Sequence, residues 1–147
     1  MIATTSPSTN TEQATVAPRP TIIVTHDGEL RFGGTVRSHR VIVDQPLASG
    51  GADSAPTPVE LLGVALGTCL ALHVQQFLTT RVLPFKGLRV EVAQRRTATT
   101  SLFDVRVLMP TRPSEHHLLL LERVARSCPV YQALEPGATI DVEFRYP

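Results

Sequence analysis

The sequence lacks the features that point to a nucleic acid or a membrane as a partner. It has no tryptophan, and aromatic residues make up only 5% of its 147 residues. Proteins that bind single-stranded nucleic acids stack the bases on aromatic side chains, so this class is disfavoured. The 14 lysines and arginines nearly balance the 13 aspartates and glutamates, which leaves a net charge of +1. This balance predicts neither nucleic acid nor an anionic membrane as a partner.

A secretory leader and a clear membrane-spanning segment are also missing from the sequence. No basic start followed by an apolar run opens the chain, as a leader would require. The longest apolar stretch, Leu61 to Val74, is shorter than the ~20 residues of a membrane-spanning helix, and we expect it to be a core helix. We therefore expect a cytoplasmic protein. In that reducing compartment its two cysteines are expected to be free or redox-active thiols, not a structural bridge.

Composition divides the chain into a tail and one domain. Residues 1–20 are rich in Thr, Ser, Pro and Ala. Because such a segment buries little apolar surface, it is predicted to be a disordered tail. Residues 21–147 have a length that suits a single domain. This domain is predicted to begin with three short strands, at Thr21–His26, Leu30–Gly34 and Arg40–Asp44.

A long helix with a well-marked start follows the three strands. Thr57 is expected to be the N-cap, Pro58 to take the first helical position and Glu60 to complete a capping box. The helix is predicted to reach about Thr80, and apolar residues occupy nearly its whole circumference. A helix that is apolar all round must be covered on every side. A chain of this size does not provide that cover alone, so we expect a second subunit to contribute.

The rest of the chain alternates between strand and helix patterns. Strands are predicted at Leu88–Arg95, at Leu102–Met109 and from Ile140 onward, with a helix at Glu115–Ser127 that Pro129 ends. The order of strands, long helix, two strands, helix and strand predicts an α+β fold. We expect antiparallel sheets wrapped around a long buried central helix.

Three motifs of this domain occur together in one known family. The segment from Gly50 to Cys69 joins a glycine-rich loop, through P-x-E-L, to a helix that carries a cysteine. Cys128-Pro129-Val130 forms a second cysteine motif, and Val43-Asp44-Gln45-Pro46 forms a D-[EQ]-P element. Together they resemble the OsmC/Ohr family of osmotically inducible and organic hydroperoxide resistance proteins, in its OsmC-like subgroup. The resemblance covers residues 21–147 and implies an intertwined homodimer with its active sites at the subunit interface.

The resemblance implies a pair of redox-active cysteines. Cys69 would be the cysteine that attacks the peroxide, and Cys128 its resolving partner. Cys128 comes at the end of a predicted helix, where its side chain is able to face a cleft. Since Cys69 lies in mid-helix, a cation from elsewhere must stabilise its thiolate.

An arginine suits this task because it stays charged and presents a planar fork of donors. Arg37 is the choice that the resemblance favours, from its spacing to the D-[EQ]-P element, and Arg40 and Arg31 are the alternatives. A solvated arginine in a loop or at a strand edge is the competing interpretation.

Glu60 has two predicted roles, as part of the helix cap and, by the resemblance, as a carboxylate that pairs with the arginine. Nine residues at ~100° each place Glu60 and Cys69 on opposite faces of one helix, about 13 Å apart along its axis. A catalytic Glu60 must therefore serve Cys69 of a partner subunit.

The activity implied by the resemblance is that of a thiol peroxidase. An organic hydroperoxide would oxidise Cys69 to a sulfenic acid, Cys128 would form a disulfide with it, and a dithiol such as dihydrolipoamide would reduce that bond. No metal or bound cofactor is required. His73, four residues after Cys69, fits a core or interface histidine better than a catalytic one. Two other functions stay open: a redox sensor or binder of small apolar molecules, and a structural dimer with inert thiols.

Overall fold

The structure is a computed structural model that describes residues 19–147. The disordered tail predicted for residues 1–20 lies, apart from its last two residues, outside the described residues. The first sheet contains the strands β1 (Ile22–His26), β2 (Phe32–Val36) and β3 (His39–Val43), and both of its pairings are antiparallel. After it come the helix α1 (Pro58–Thr80), the strands β4 (Arg89–Arg96) and β5 (Ser101–Leu108), the helices α2 (Glu115–Arg126) and α3 (Pro129–Leu134), and the strand β6 (Ala138–Arg145).

The second sheet is mixed, which differs from the purely antiparallel sheets that we expected. β4 and β5 are antiparallel, whereas β5 and β6 are parallel. Parallel neighbours need a crossover connection, and α2 and α3 supply it between β5 and β6. The α+β class is confirmed, with one mixed sheet.

The crossover contains a helix that the sequence pattern did not predict. Pro129 was expected to end the second helix, but it is the first residue of α3, with Cys128 as the N-cap. Proline suits this position because its φ is preset for a helix and the first helical N–H has no partner within the helix.

The predicted start of α1 is confirmed. The Thr57 Oγ1 accepts a hydrogen bond from the Glu60 N–H at 3.2 Å, and the Glu60 Oε2 accepts one from the Thr57 N–H at 2.7 Å. At the other end, the Leu83 N–H donates to the Leu78 carbonyl and the Val82 N–H to the Thr79 carbonyl. This pair of hydrogen bonds is a Schellman motif, which fixes the last turn of α1.

One face of α1 packs into the core of the chain. Gly63 and Gly67 let the helix lie close to β4, since a Cβ on Gly67 would come within 3.0 Å of Val92. By length and composition alone, α1 is long and apolar enough to cross a membrane. Core helices of soluble proteins pass the same test. The core includes Leu66, Leu70, Val74, Phe77 and Leu78 of α1, Phe103, Val105 and Val107 of β5, Leu121 and Ala125 of α2, and Tyr131 of α3.

The opposite face of α1 is open to solvent within one chain. Its exposed residues, Val64, Ala65, Thr68 and Leu72, are called here the open face of α1. Leu72 is 65% exposed, although the sequence is apolar there. The chain therefore buries only one side of its long helix.

The first sheet also exposes apolar side chains. Ile22, Ile23 and Val24 of β1 are all more than half exposed. Phe32 of β2 and Val41 of β3 are exposed as well. Contacts of this sheet with the helices and with the second sheet are sparse. The chain thus carries two apolar surfaces, the first sheet and the open face of α1, that it does not cover itself.

Candidate active site

The fold brings the two cysteines together. Cys69 lies in the middle of α1, and Cys128 is the N-cap of α3. They are joined as a disulfide across a sequence separation of 59 residues, with their Cα atoms 6.0 Å apart. This Cα distance lies in the usual range of native disulfides. Two residues that the sequence motifs singled out thus meet at one place in the structure.

The two cysteine residues differ in burial. Cys128 is fully buried in the core, whereas Cys69 is partly exposed at the edge of the open face of α1. The expectation that Cys128 faces a cleft is wrong, because α3 begins there and encloses it. The Tyr131 N–H donates to the Cys128 Sγ at 3.4 Å, as an N-cap interaction. Within one chain, Cys69 is therefore the more exposed residue of the pair.

Sequence reasoning gave Tyr131 no role, yet its side chain is anchored beside the buried cysteine. Tyr131 is itself buried, and its hydroxyl accepts a hydrogen bond from Arg126 Nη1 at 3.2 Å. The signal for the start of α3 is Pro129, because proline is common at the first position of a helix and the residue before it is then the N-cap.

His73 on α1 and Ser127 at the end of α2 lie next to the two cysteines in the sequence. The His73 Nδ1 is 3.5 Å from the Ser127 Oγ, at the outer limit of a hydrogen bond. Ser127 immediately precedes Cys128, and His73 follows Cys69 by one helical turn. The histidine thus joins α1 to the end of α2. Within residues 19–147, no group of three or more His, Cys, Asp or Glu is arranged to hold a metal ion.

Glu60 lies far from Cys69 of its own chain. It is exposed at the first turn of α1, where it completes the capping box and borders a groove of about 540 Å³ between α1 and β4. The hydrogen bond from the Thr57 N–H, followed by that from the Thr57 hydroxyl, lowers the pKa of Glu60 below its ordinary value. The carboxylate is therefore charged at neutral pH and able to hold a cation.

The three candidate arginines differ in their ion pairs. Arg31 and Arg40 both contact Asp27, at 3.2 and 3.1 Å. Arg37 is exposed in the two-residue turn between β2 and β3, with φ at 54°. Among the ion pairs of the described residues, none involves Arg37. No hydrogen bond or ion pair joins it to Glu60 or Cys69 within that part of the chain.

The D-[EQ]-P element orders the loop before α1. Asp44 is buried, and its carboxylate accepts hydrogen bonds from the Ser54 N–H at 3.0 Å, the Ser54 hydroxyl at 2.7 Å and the Gln45 N–H at 2.7 Å. These bonds, and above all the one from the Ser54 N–H, lower the pKa of Asp44. A Cβ on Gly51 would collide with the Gln45 carbonyl. This motif therefore shapes the loop that leads into α1.

Comparisons with known proteins agree with this geometry. Residues 50–143 match the sequence model of the family described as OsmC-like protein. No curated protein matches the chain by sequence.

Solved structures with the same fold come from several bacteria, and at these low identities they establish the fold alone. A proposed osmotic stress induced and detoxification response protein from Psychrobacter arcticus is 19% identical, with a TM-score of 0.78 over 88% of this chain and 98% of that one. An organic hydroperoxide resistance protein from Elizabethkingia anophelis is 16% identical, with a TM-score of 0.69 over 90% and 100%. An organic hydroperoxide resistance protein OsmC from Legionella pneumophila is 13% identical, with a TM-score of 0.66 over 85% and 96%.

Proposed function

The chain belongs to the OsmC-like protein family, and on that premise we propose that it is a thiol peroxidase that reduces organic hydroperoxides. The cysteine pair at disulfide distance fits a redox role. The observation that carries the finer proposal is the asymmetry of this pair, an accessible Cys69 joined to an enclosed Cys128. A two-cysteine peroxidase uses one cysteine to attack the peroxide and the other to form the disulfide. The difference in burial fits these two roles, because the more exposed cysteine is the one that a peroxide is able to reach. Two of the proteins with a similar structure are named organic hydroperoxide resistance proteins, which adds support.

The proposed cycle has three steps. The Cys69 thiolate attacks the terminal oxygen of the hydroperoxide, the O–O bond breaks, and the alkoxide takes a proton to leave as an alcohol. Cys69 is now a sulfenic acid. The Cys128 sulfur attacks the Cys69 sulfur, and the hydroxide leaves as water with the proton of the Cys128 thiol. An external dithiol then reduces the disulfide, and is itself oxidised to its cyclic disulfide.

Organic hydroperoxides fit the surroundings of Cys69 better than hydrogen peroxide does. Cys69 lies at the edge of the open face of α1, with Ala65 and Leu72 on the same side of the helix. An alkyl group gains free energy by leaving water for such a surface, at about 25 cal/mol per Å² of apolar area. Hydrogen peroxide has no alkyl group and gains nothing from it. A reducing compartment such as the cytoplasm would supply the dithiol.

We propose that two copies of the chain form a homodimer. The first sheet and the open face of α1 are two apolar surfaces exposed in one chain. Exposed apolar surface on this scale is typical of subunit interfaces. We propose that the first sheet of each subunit covers the partner, and that Arg37 and Glu60 meet Cys69 across the interface. Two observations support this assignment. Arg37 has no acidic partner among residues 19–147, and the carboxylate of Glu60 is charged.

Peroxide consumption tests the function directly. We expect the reduced protein to consume cumene hydroperoxide over many turnovers with dithiothreitol or dihydrolipoamide, well above the thiol-only blank. The control is the Cys69→Ser/Cys128→Ser protein, which should not exceed the blank. A wild-type rate equal to the blank would exclude the peroxidase and favour the redox sensor. The buried position of Cys128 supports that second function, since a disulfide held in the core is a stable signal.

Mixed dimers test whether Glu60 acts across the interface. Glu60→Gln and Cys69→Ser proteins, each weakly active or inactive alone, would be co-expressed with different tags and the mixed dimer purified. One of its two sites then combines an intact Cys69 with an intact Glu60 from the other chain, so we expect about half of the wild-type activity per dimer.

The control is a mixed dimer of Cys69→Ser and Cys128→Ser. Because the two cysteines that form the disulfide belong to one chain, this dimer has no complete pair and should show no more than the slow turnover of the Cys128→Ser protein. An inactive Glu60→Gln/Cys69→Ser dimer would place Glu60 in its own chain's site or limit it to the helix cap. If the proteins form no dimer, the proposed site at the subunit interface is excluded.

A further inference from the structure

His73 and Ser127 make a polar contact between α1 and α2 that lies beside both cysteines. Of the side chains one helical turn from Cys69 on α1, only that of His73 carries a hydrogen-bonding group. Its Nδ1 lies 3.5 Å from the Ser127 Oγ, and Ser127 directly precedes Cys128. No other hydrogen bond or ion pair joins α1 to α2 within residues 19–147. This contact, called here the His73–Ser127 bridge, plays no part in the cycle described so far.

The direction of the hydrogen bond in the bridge follows from the other partner of Ser127. The Ser127 hydroxyl donates to the Val124 carbonyl at 2.7 Å. A hydroxyl has only one proton to donate, so toward His73 the Ser127 oxygen is an acceptor. The His73 Nδ1 must therefore carry a proton and donate it. In a neutral imidazole this leaves Nε2 without a proton, so the bridge also fixes the tautomer of the ring.

We propose that His73 is a positioning residue for the disulfide, which it favours by holding the end of α2 against α1. The His73–Ser127 bridge forms when Cys69 and Cys128 are bonded and is lost when they are reduced. The inference deepens the proposed function and rests on it for its role in the cycle, where disulfide formation is the second step. Its test uses no peroxide.

The length of the bridge makes it sensitive to the state of the cysteines. At 3.5 Å its two atoms are at the outer limit of a hydrogen bond, so a small outward movement of the end of α2 breaks it. The disulfide ties Cys128, and with it the end of α2, to Cys69. Two thiols approach each other only to van der Waals contact, so reduction lets the end of α2 move outward. A contact present in only one of two states shifts their equilibrium toward that state, here toward the disulfide.

The redox equilibrium of the cysteine pair measures this effect. The full chain is equilibrated with known ratios of oxidised and reduced dithiothreitol, and the disulfide fraction is read by alkylation of the remaining thiols and mass spectrometry. Each protein disulfide that forms passes two electrons and two protons to one molecule of oxidised dithiothreitol. We expect His73→Phe and Ser127→Ala each to lower the equilibrium constant for disulfide formation about fivefold, which is about 20 mV. The double variant should lose no more than either single one, because both remove the same hydrogen bond.

Two amide substitutions identify the ring nitrogen that is responsible. The amide nitrogen of asparagine takes the place of Nδ1, whereas that of glutamine reaches the place of Nε2. We therefore expect His73→Asn to retain most of the wild-type equilibrium constant and His73→Gln to resemble His73→Phe. His116, exposed on α2, offers the matched control, since His116→Phe makes the same change away from the cysteines and should leave the constant unchanged. Circular dichroism of each variant confirms that it is folded.

Nuclear magnetic resonance reports on the ring of His73 itself. Long-range proton–nitrogen spectra distinguish the two neutral tautomers, and in the oxidised protein His73 should carry its proton on Nδ1. The Cys69→Ser/Cys128→Ser protein does not form the disulfide, so its His73 should lose this preference. The Nε2–H tautomer in the oxidised protein would contradict the bridge.

The outcomes separate this inference from the proposed function. Lower equilibrium constants in His73→Phe and Ser127→Ala, in a protein without peroxide turnover, would support the bridge and remove the peroxidase. Constants equal to that of the wild type in both variants would overturn the bridge and keep the peroxidase. Losses that add in the double variant would mean that the two residues act separately. A His73→Asn protein no better than His73→Phe, or an equal loss in His116→Phe, would show that the hydrogen bond is not the cause, and each of these results overturns the proposal.

Discussion

Replacing Cys69 by serine should lower peroxide turnover by roughly three orders of magnitude or more, to the level of the thiol-only blank. In the proposed cycle Cys69, the more exposed residue of the pair, is the one that the hydroperoxide meets. A serine hydroxyl is neutral at pH 7 and is a far weaker nucleophile than a thiolate. The measurement is the steady-state rate of cumene hydroperoxide consumption with excess dithiothreitol.

Cys128→Ser is the matched control, since it removes the other sulfur with the same change of atoms. Its Cys69 should still react once, so we expect a burst of one equivalent of alcohol followed by slow turnover. Dimedone, which labels sulfenic acids, should mark Cys69 in this variant and be detected by mass spectrometry. Equal residual activity in the two variants would mean that the cysteines do not divide the work as proposed. A burst in Cys69→Ser instead would exchange their roles.

The sequence predicted those elements whose signals are local. The start of α1 was predicted to the residue, because Thr57, Pro58 and Glu60 form a cap whose hydrogen bonds lie within four residues. The alternating strands β4 and β5 were also predicted to within one residue at each end. By contrast, β2 begins at Phe32, two residues after the predicted start. The loop from Asp27 to Arg31 is closed by its own hydrogen bonds and delays the strand.

The features that were missed depend on tertiary structure. Pro129 is compatible both with the end of a helix and with the start of one, and only the position of the next strand requires a new helix there. The parallel pairing of β6 likewise follows from where the crossover delivers the chain. The burial of Cys128 follows from the position of α3 and from the path of the crossover to β6. A sequence motif identified the two cysteines, but the fold decides which of them meets the solvent.

Reduction of the disulfide should lower the free energy of unfolding by about 4 kcal/mol. The bond closes a loop across 59 residues, and the chain-entropy argument gives about that stabilisation at 25 °C for a loop of this length. For a chain of this size, the loss corresponds to a fall in Tm of about 10 °C. The measurement is thermal unfolding of oxidised and reduced protein at one fixed concentration, since Tm depends on concentration in a dimer.

The Cys69→Ser/Cys128→Ser protein is the control for this comparison. It has no sulfur to oxidise, so its Tm should not respond to the reductant and should lie near that of the reduced wild type. An unchanged Tm in the wild type would mean that the cysteines do not form the bond in solution.

By thermodynamic linkage, folding favours the disulfide by the same free energy with which the disulfide favours folding. A disulfide favoured in this way resists single thiols, so the proposed turnover would require a dithiol, which drives the exchange by closing its own ring.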